Sequence, residues 1–139
     1  MKLVIGGYAQ GKLDYVLSKY SLPKDAVWDS VLPDDAVLKG SQKEQYGQYG
    51  QKPLVVINHF HLWVKNRMIN GGQPEEEIMA FLNKCDNCVI ISDEIGNGIV
   101  PLVQFEREYR ECVGRILIRL AGKAEEVERV LCGINQKIK

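Results

Sequence analysis

Near its N-terminus the chain reads MKLVIGGYAQGKLDYV. Gly6, Gly11 and Lys12 fit the pattern G-x-x-x-x-G-K, a spacing suited to holding phosphate. Glycines let a backbone take angles that turn its N–H groups inward around an anion. A helix starting near Lys12 would add the positive end of its dipole, and the Lys12 ammonium would reach the β- and γ-phosphates of a nucleotide. In such loops the next residue supplies a hydroxyl to magnesium. Here it is Leu13, which has no lone pair to give. A glycine turn with a purely structural role is the alternative reading of the same residues.

The second magnesium contact in such a site is an acid at the end of another strand. The apolar run "PLVVIN" instead ends in Asn58, a neutral amide. Magnesium prefers anionic oxygen. A nucleotide's own phosphates can still hold the ion, so magnesium dependence is weakened rather than abolished.

The only histidines, His59 and His61, follow at once. An imidazole can carry a nucleotidyl group as a covalent intermediate. Packing at a strand-to-helix junction is the alternative, and an H-x-H metal pair lacks a third ligand nearby. Asp93 and Glu94 form an acidic pair after a later apolar run. They suit magnesium or a general base that accepts a hydroxyl proton. Glu94 has the alternative role of tying down the glycine loop behind it. Arg107, Arg110, Arg115 and Arg119 fall on one helical stretch, as a solvated face or as contacts to phosphate. Cys85 and Cys88 make one C-x-x-C with no second pair at zinc spacing, which favours burial over metal.

These side chains need elements to position them. "KLVI" (2–5) reads as a buried strand stopped by glycines, and Lys12–Tyr20 as a helix with Leu13, Val16, Leu17 and Tyr20 on one face. "AVWDSV" and "DAVLKG" are candidate short strands. The polar, glycine-punctuated stretch Ser41–Lys52 reads as a mobile loop, either a connector or a flap. "PLVVIN" (53–58) and "CVIIS" (88–92) are strands, and "HFHLWVKNRMINGG" is helical. Pro74 and the acids at 75–77 announce a helix through Cys85. A long helix runs from Leu102 to about Gly122, and Val127–Ile134 reads as one final strand. Alternating strands and helices predict an α/β layered fold with a mostly parallel sheet. In such sheets ligands sit beyond the carboxyl ends of strands. "GGYAQGK", "NHFH" and "SDEIGNG" all fall there.

At 139 residues the chain is expected to form a single domain, residues 1–139. Zero formal net charge gives no reason to expect nucleic acid as a partner. No apolar run is long enough to cross a membrane, so none is expected as a partner either. The N-terminus lacks the features of a signal peptide, and four cysteines without an export signal point to reduced thiols in the cytoplasm.

The chain resembles the bifunctional adenosylcobinamide kinase and adenosylcobinamide-phosphate guanylyltransferase family of cobalamin synthesis. The resemblance rests on "GGYAQGK", on "NHFHLWVKN" and on a C-terminal block. That block comprises "ISDEIGNGIVP", "FEREYRECVGRILIRLA" and "CGINQKIK". Glu94, Gly96, Gly98, Ile99, Val100, Pro101, Arg107, Arg110 and Gly114 fall in register with the family. Departures are Leu13 for the loop hydroxyl, Asn58 for the strand-end acid, and Leu117-Ile118 for the family's Asn-Gln. The interval Ser21–Lys52 is shortened and lacks the family's guanylyl-carrying histidine.

The resemblance implies a P-loop-type, RecA-like layered fold and transfer of a phosphoryl or guanylyl group to adenosylcobinamide or its phosphate. GTP or ATP would bind at Gly6, Gly7, Tyr8, Ala9, Gln10, Gly11, Lys12, Leu13 and Asn58. Lys12, Glu94, His59 and His61 are the catalytic candidates. No residue is assigned as a metal ligand, and magnesium is weakly supported. A corrinoid substrate and a homo-oligomer would be the partners. The alternative is a nucleotide- or corrinoid-binding homologue impaired in turnover, with a regulatory or assembly role.

Overall fold

A computed structural model describes residues 1–38 and 54–139. The expected loop Ser41–Lys52 lies outside the described residues. Strand β1 (Lys2–Gly6) runs into the glycine loop, and helix α1 (Lys12–Tyr20) follows it. Then come β2 (Val27–Asp29), β3 (Val55–Asn58), α2 (Phe60–Ile69), α3 (Pro74–Lys84) and β4 (Cys88–Asp93). Helix α4 (Gln104–Lys123) leads to β5 (Glu126–Leu131) and β6 (Ile134–Lys137).

The sheet order is β2-β3-β4-β1-β5-β6. All neighbours are parallel except β5 and β6. The expected layered α/β fold with a mostly parallel sheet is therefore found. Strands β1 and β4 are far apart in sequence yet adjacent in the sheet, with Gly6 opposite Asp93. The phosphate loop thus opens beside the carboxyl end of β4.

Period-2 alternation sends side chains to two cores. Leu3, Ile57, Ile90 and Val127 face a larger core with Phe60, Trp63, Ile78, Val113, Ile116 and Leu120 from the helices. Val4, Val56, Val89, Ile91 and Val130 face a smaller one, closed by Val16 of α1. Each such side chain, fully buried, contributes roughly 1.5–3 kcal/mol relative to exposure. Strand β4 is buried along its whole length, which explains its uninterrupted apolar run.

Three expected boundaries shift. "DAVLKG" is not a strand: residues 35–38 are helical, because Asp34 Oδ1 accepts the Val37 N–H at 2.8 Å as an N-cap does. Its last two residues, 39 and 40, lie outside the described set. The final strand is two, folded at Cys132 and Gly133 with φ of 51° and 77°. Two successive left-handed residues are what a tight hairpin turn demands. Helix α2 begins one residue later than "HFHLWVKNRMINGG" suggests, because His59 is its N-cap at φ 49°, ψ 42°.

Candidate active site

The loop is shaped by its glycines and pinned by the C-terminal hairpin. A Cβ on Gly6 would lie 2.4 Å from Val130 O, so no side chain fits between β1 and β5 there. Gly11 starts α1 in the left-handed region at φ 79°. Gln10 is held from outside: its carbonyl accepts the Gly133 N–H at 2.9 Å, and its Oε1 accepts the Cys132 N–H at 2.8 Å. Among the described residues, no N–H from Gly7 to Gly11 donates to a protein acceptor. Lys12 is 7% exposed and its Nζ lies 2.6 Å from both Gly7 O and Asp93 Oδ1.

The carboxyl ends of β2, β3 and β4 bring Asp29, Asn58 and Asp93 side by side, with Asp29 and Asn58 as register partners. Asn58 Nδ2 donates to Asp29 Oδ1 at 2.8 Å. His59 Nδ1 is 2.7 Å from the same oxygen. Asn58 Nδ2 also lies 3.1 Å from this nitrogen; because a carboxylate can only accept, the shorter contact to Asp29 assigns the proton to Nδ1.

His61, one turn further, is buried. Its Nδ1 accepts the Asp93 N–H at 3.2 Å, which leaves the proton on Nε2, 3.6 Å from Asp93 Oδ2. Burial pushes the His61 pKa down. The Asp93 carboxylate opposes this, while His59 and Lys12 reinforce it. The backbone carbonyl of His61 accepts the Tyr109 hydroxyl at 2.9 Å. This imidazole is therefore neutral, with both nitrogens turned toward Asp93.

A cleft of about 290 Å³ opens over these groups. Tyr8, Ala9, Gln10, Gly11, Lys12, Leu13, Asn58 and His59 line it, together with Asp14 and Asp93. Gly6 and Gly7 do not line it; they form the back of the loop. His61 sits behind Asp93. Glu94 points away: its carboxylate takes Arg129 Nη2 at 3.0 Å, and its N–H bonds Gly6 O at 2.9 Å. Of the acidic pair, Asp93 faces the cleft. The sequence reading missed Asp29; its one signal was an acid closing the short run "VWD".

The positions that would hold magnesium offer it little. Leu13 offers no oxygen, Asn58 is neutral, and Asp93 is already neutralised by Lys12. Among the described residues no three His, Cys, Asp or Glu side chains come together as a metal site. Cys85 and Cys88 are buried, and the Cys88 thiol is pushed far up, first by its interaction with Cys85 and then by burial.

The arginines of α4 are committed elsewhere. Arg107 Nη1 donates to the carbonyls of Pro101 and Leu102, and Arg110 Nη1 to that of Ile99. Arg119 pairs with Glu75 at 2.6 Å, and Arg115 with Glu111 at 2.8 Å.

A glycine loop between a central parallel strand and a helix, with a buried lysine at its base, defines a phosphate-loop α/β domain. The chain belongs to the cobinamide kinase / cobinamide phosphate guanyltransferase family, whose sequence model matches residues 26–138. That match begins after the glycine loop, so the loop's reading stands on its own geometry. The bifunctional adenosylcobalamin biosynthesis protein CobU of Salmonella typhimurium is 39% identical over 69 residues. That alignment covers 47% of this chain and 38% of the relative. Its namesake from Escherichia coli is 39% identical over 67 residues, covering 45% and 37%. The aligned part thus spans well under half the length of these relatives. No helix among the described residues is long and apolar enough to cross a membrane.

Proposed function

We propose that the chain binds GTP or ATP in the loop cleft and transfers a phosphoryl or guanylyl group to adenosylcobinamide or its phosphate, in adenosylcobalamin biosynthesis. The observation that carries this reading is the row of N–H groups from Gly7 to Gly11 with no acceptor among the described residues, beside the buried Lys12 Nζ. Such a row is costly to leave unpaired unless an anion or water takes it. Family membership supports the acceptor.

In this reading the loop amides and Lys12 hold the phosphates and stabilise charge on the transferred group. Lys12 exchanges Asp93 for phosphate on binding. Glu94, paired with Arg129, acts through the loop's position and not on the reacting atoms. Residues 1–139 work as one domain. None of the four cysteines forms a disulfide, which supports a cytoplasmic setting. The exposed apolar stretch Ile99, Val100, Leu102 and Val103 supports a homo-oligomer.

The test is incubation of the purified chain with adenosylcobinamide, GTP or ATP, and magnesium. Phosphorylated or GDP-linked product, read by mass spectrometry, is expected. No product with any metal would overturn the transfer reading. Leu13 and Asn58 favour a second reading, a nucleotide or corrinoid binder without turnover. It gives calorimetric affinity that falls in Lys12→Ala and ignores magnesium.

A further inference from the structure

We propose that His59 is the general base of this site and that Asp29 is its positioning residue. The proposal deepens the transfer reading above and rests on it. His59 lies at the carboxyl end of β3, lines the cleft with Lys12 and Asp93, and has a side chain 43% exposed. Its Nδ1 is tied to Asp29 Oδ1 at 2.7 Å. The proton is thereby fixed on Nδ1, and the free lone pair is on Nε2. An imidazole held in this way is oriented to accept a proton at Nε2.

The backbone supports a functional role. A non-glycine residue in the left-handed region carries strain, and such strain gathers at functional sites. His59 holds it at φ 49° as the first turn of α2 begins, with no side-chain cap bond to offset it. The side chain reaches across to β2 instead. Asn58 donates to the same Asp29 oxygen and so fixes the carboxylate from the other side. His61, whose nitrogens both face Asp93, is not equivalent.

The step balances as follows. The O–H bond of the acceptor hydroxyl breaks and its proton moves to His59 Nε2. The freed oxygen forms a bond to the γ-phosphorus of the nucleoside triphosphate. The bond from that phosphorus to the bridging oxygen breaks, and nucleoside diphosphate leaves. The imidazolium is stabilised by Asp29 and returns its proton to solvent through its exposed edge.

Charged and titratable groups around His59 come from every neighbouring element: Asp29 from β2, His61 at 5.9 Å between ring centroids on α2, Lys12 and Asp14 of α1, and Asp93 of β4.

The experiment joins two measurements on the full chain. Histidine ¹⁵N spectra should show His59 as the Nδ1–H tautomer, and Asp29→Asn should mix the tautomers. In the turnover assay His59→Asn, chosen because asparagine tolerates the left-handed backbone, and His59→Gln should each lose about 100-fold in kcat. Their nucleotide Kd should stay as in the wild type. Asp29→Asn should keep part of the rate, lost in proportion to the fraction of the other tautomer. An Nε2–H tautomer at His59 overturns the role of Asp29. An active wild type whose His59 variants keep the rate overturns the base alone. A wild type that binds nucleotide and turns nothing over overturns the transfer reading and the base with it.

Discussion

Lys12 and Asp93 meet at 2.6 Å, at the ends of elements that only the sheet brings together, with side chains 7% and 10% exposed. Taking one partner from a buried pair leaves the other charge uncompensated, at a cost of about 3–5 kcal/mol. Lys12→Ala should therefore lower the urea midpoint as well as weaken nucleotide binding. The double variant Lys12→Met with Asp93→Asn should recover most of the stability and none of the binding. A double variant whose loss equals the sum of those of Lys12→Met and Asp93→Asn alone would argue that the pair is not coupled.

Gly6 and Gly7 adjoin in sequence but differ in what a methyl group would meet. At Gly6 a Cβ lies 2.4 Å from Val130 O, while at Gly7 the nearest atom is Gln10 Cγ at 3.6 Å. Gly6→Ala should cost about 2–3 kcal/mol by forcing β1 from β5. Gly7→Ala should fall within about 0.5 kcal/mol. Thermal unfolding of the two variants side by side reads the difference. Similar melting temperatures would mean that β5 does not approach the loop this closely.

Much of this frame is legible in the sequence, for a physical reason. Buried parallel strands leave continuous apolar runs, and β4 with its fully buried Val89, Ile90 and Ile91 is the clearest case. The G-x-x-x-x-G-K spacing fixes the loop because few residues can make that turn. What the sequence hides is pairing across distance. Asp29 and His59 are 30 positions apart, and their contact follows from β2 lying beside β3. The split of the last strand turns on a non-glycine residue, Cys132, at positive φ, which no propensity foretells. Glu94 and Asp93 are neighbours whose roles differ only because strand alternation turns one toward Lys12 and the other toward Arg129.

His61 gives stability a pH dependence with a definite sign. Burial lowers its folded pKa below the ordinary value of 6.5. The unfolded chain therefore binds the proton more readily. The contribution of the neutral buried ring is fully present above 6.5 and is lost as pH falls from there toward the lowered folded value. Urea melts from pH 8 to 5 should show stability falling below about 6.5, by up to roughly 1.4 kcal/mol per pH unit from this group. His61→Gln should flatten that limb. A limb unchanged in the variant would assign the effect to other groups.

The last prediction concerns what Leu13 and Asn58 have removed. Leu13 lines the cleft where a hydroxyl would face phosphate, and Asn58 closes β3 where a carboxylate would face it. Leu13→Ser with Asn58→Asp restores two oxygen donors of the kind magnesium prefers. The double variant should bind nucleotide at least tenfold more tightly with magnesium than without, about 1.4 kcal/mol of coupling. The wild type should show little difference. Asn58→Asp alone should do less, because the new carboxylate faces Asp29 and loses the amide that donates to it at 2.8 Å. Calorimetry with and without magnesium decides the matter. A double variant as indifferent to the ion as the wild type would mean that positions 13 and 58 do not face the bound phosphates, and that the loop, if it holds nucleotide, does so with amides and Lys12 alone.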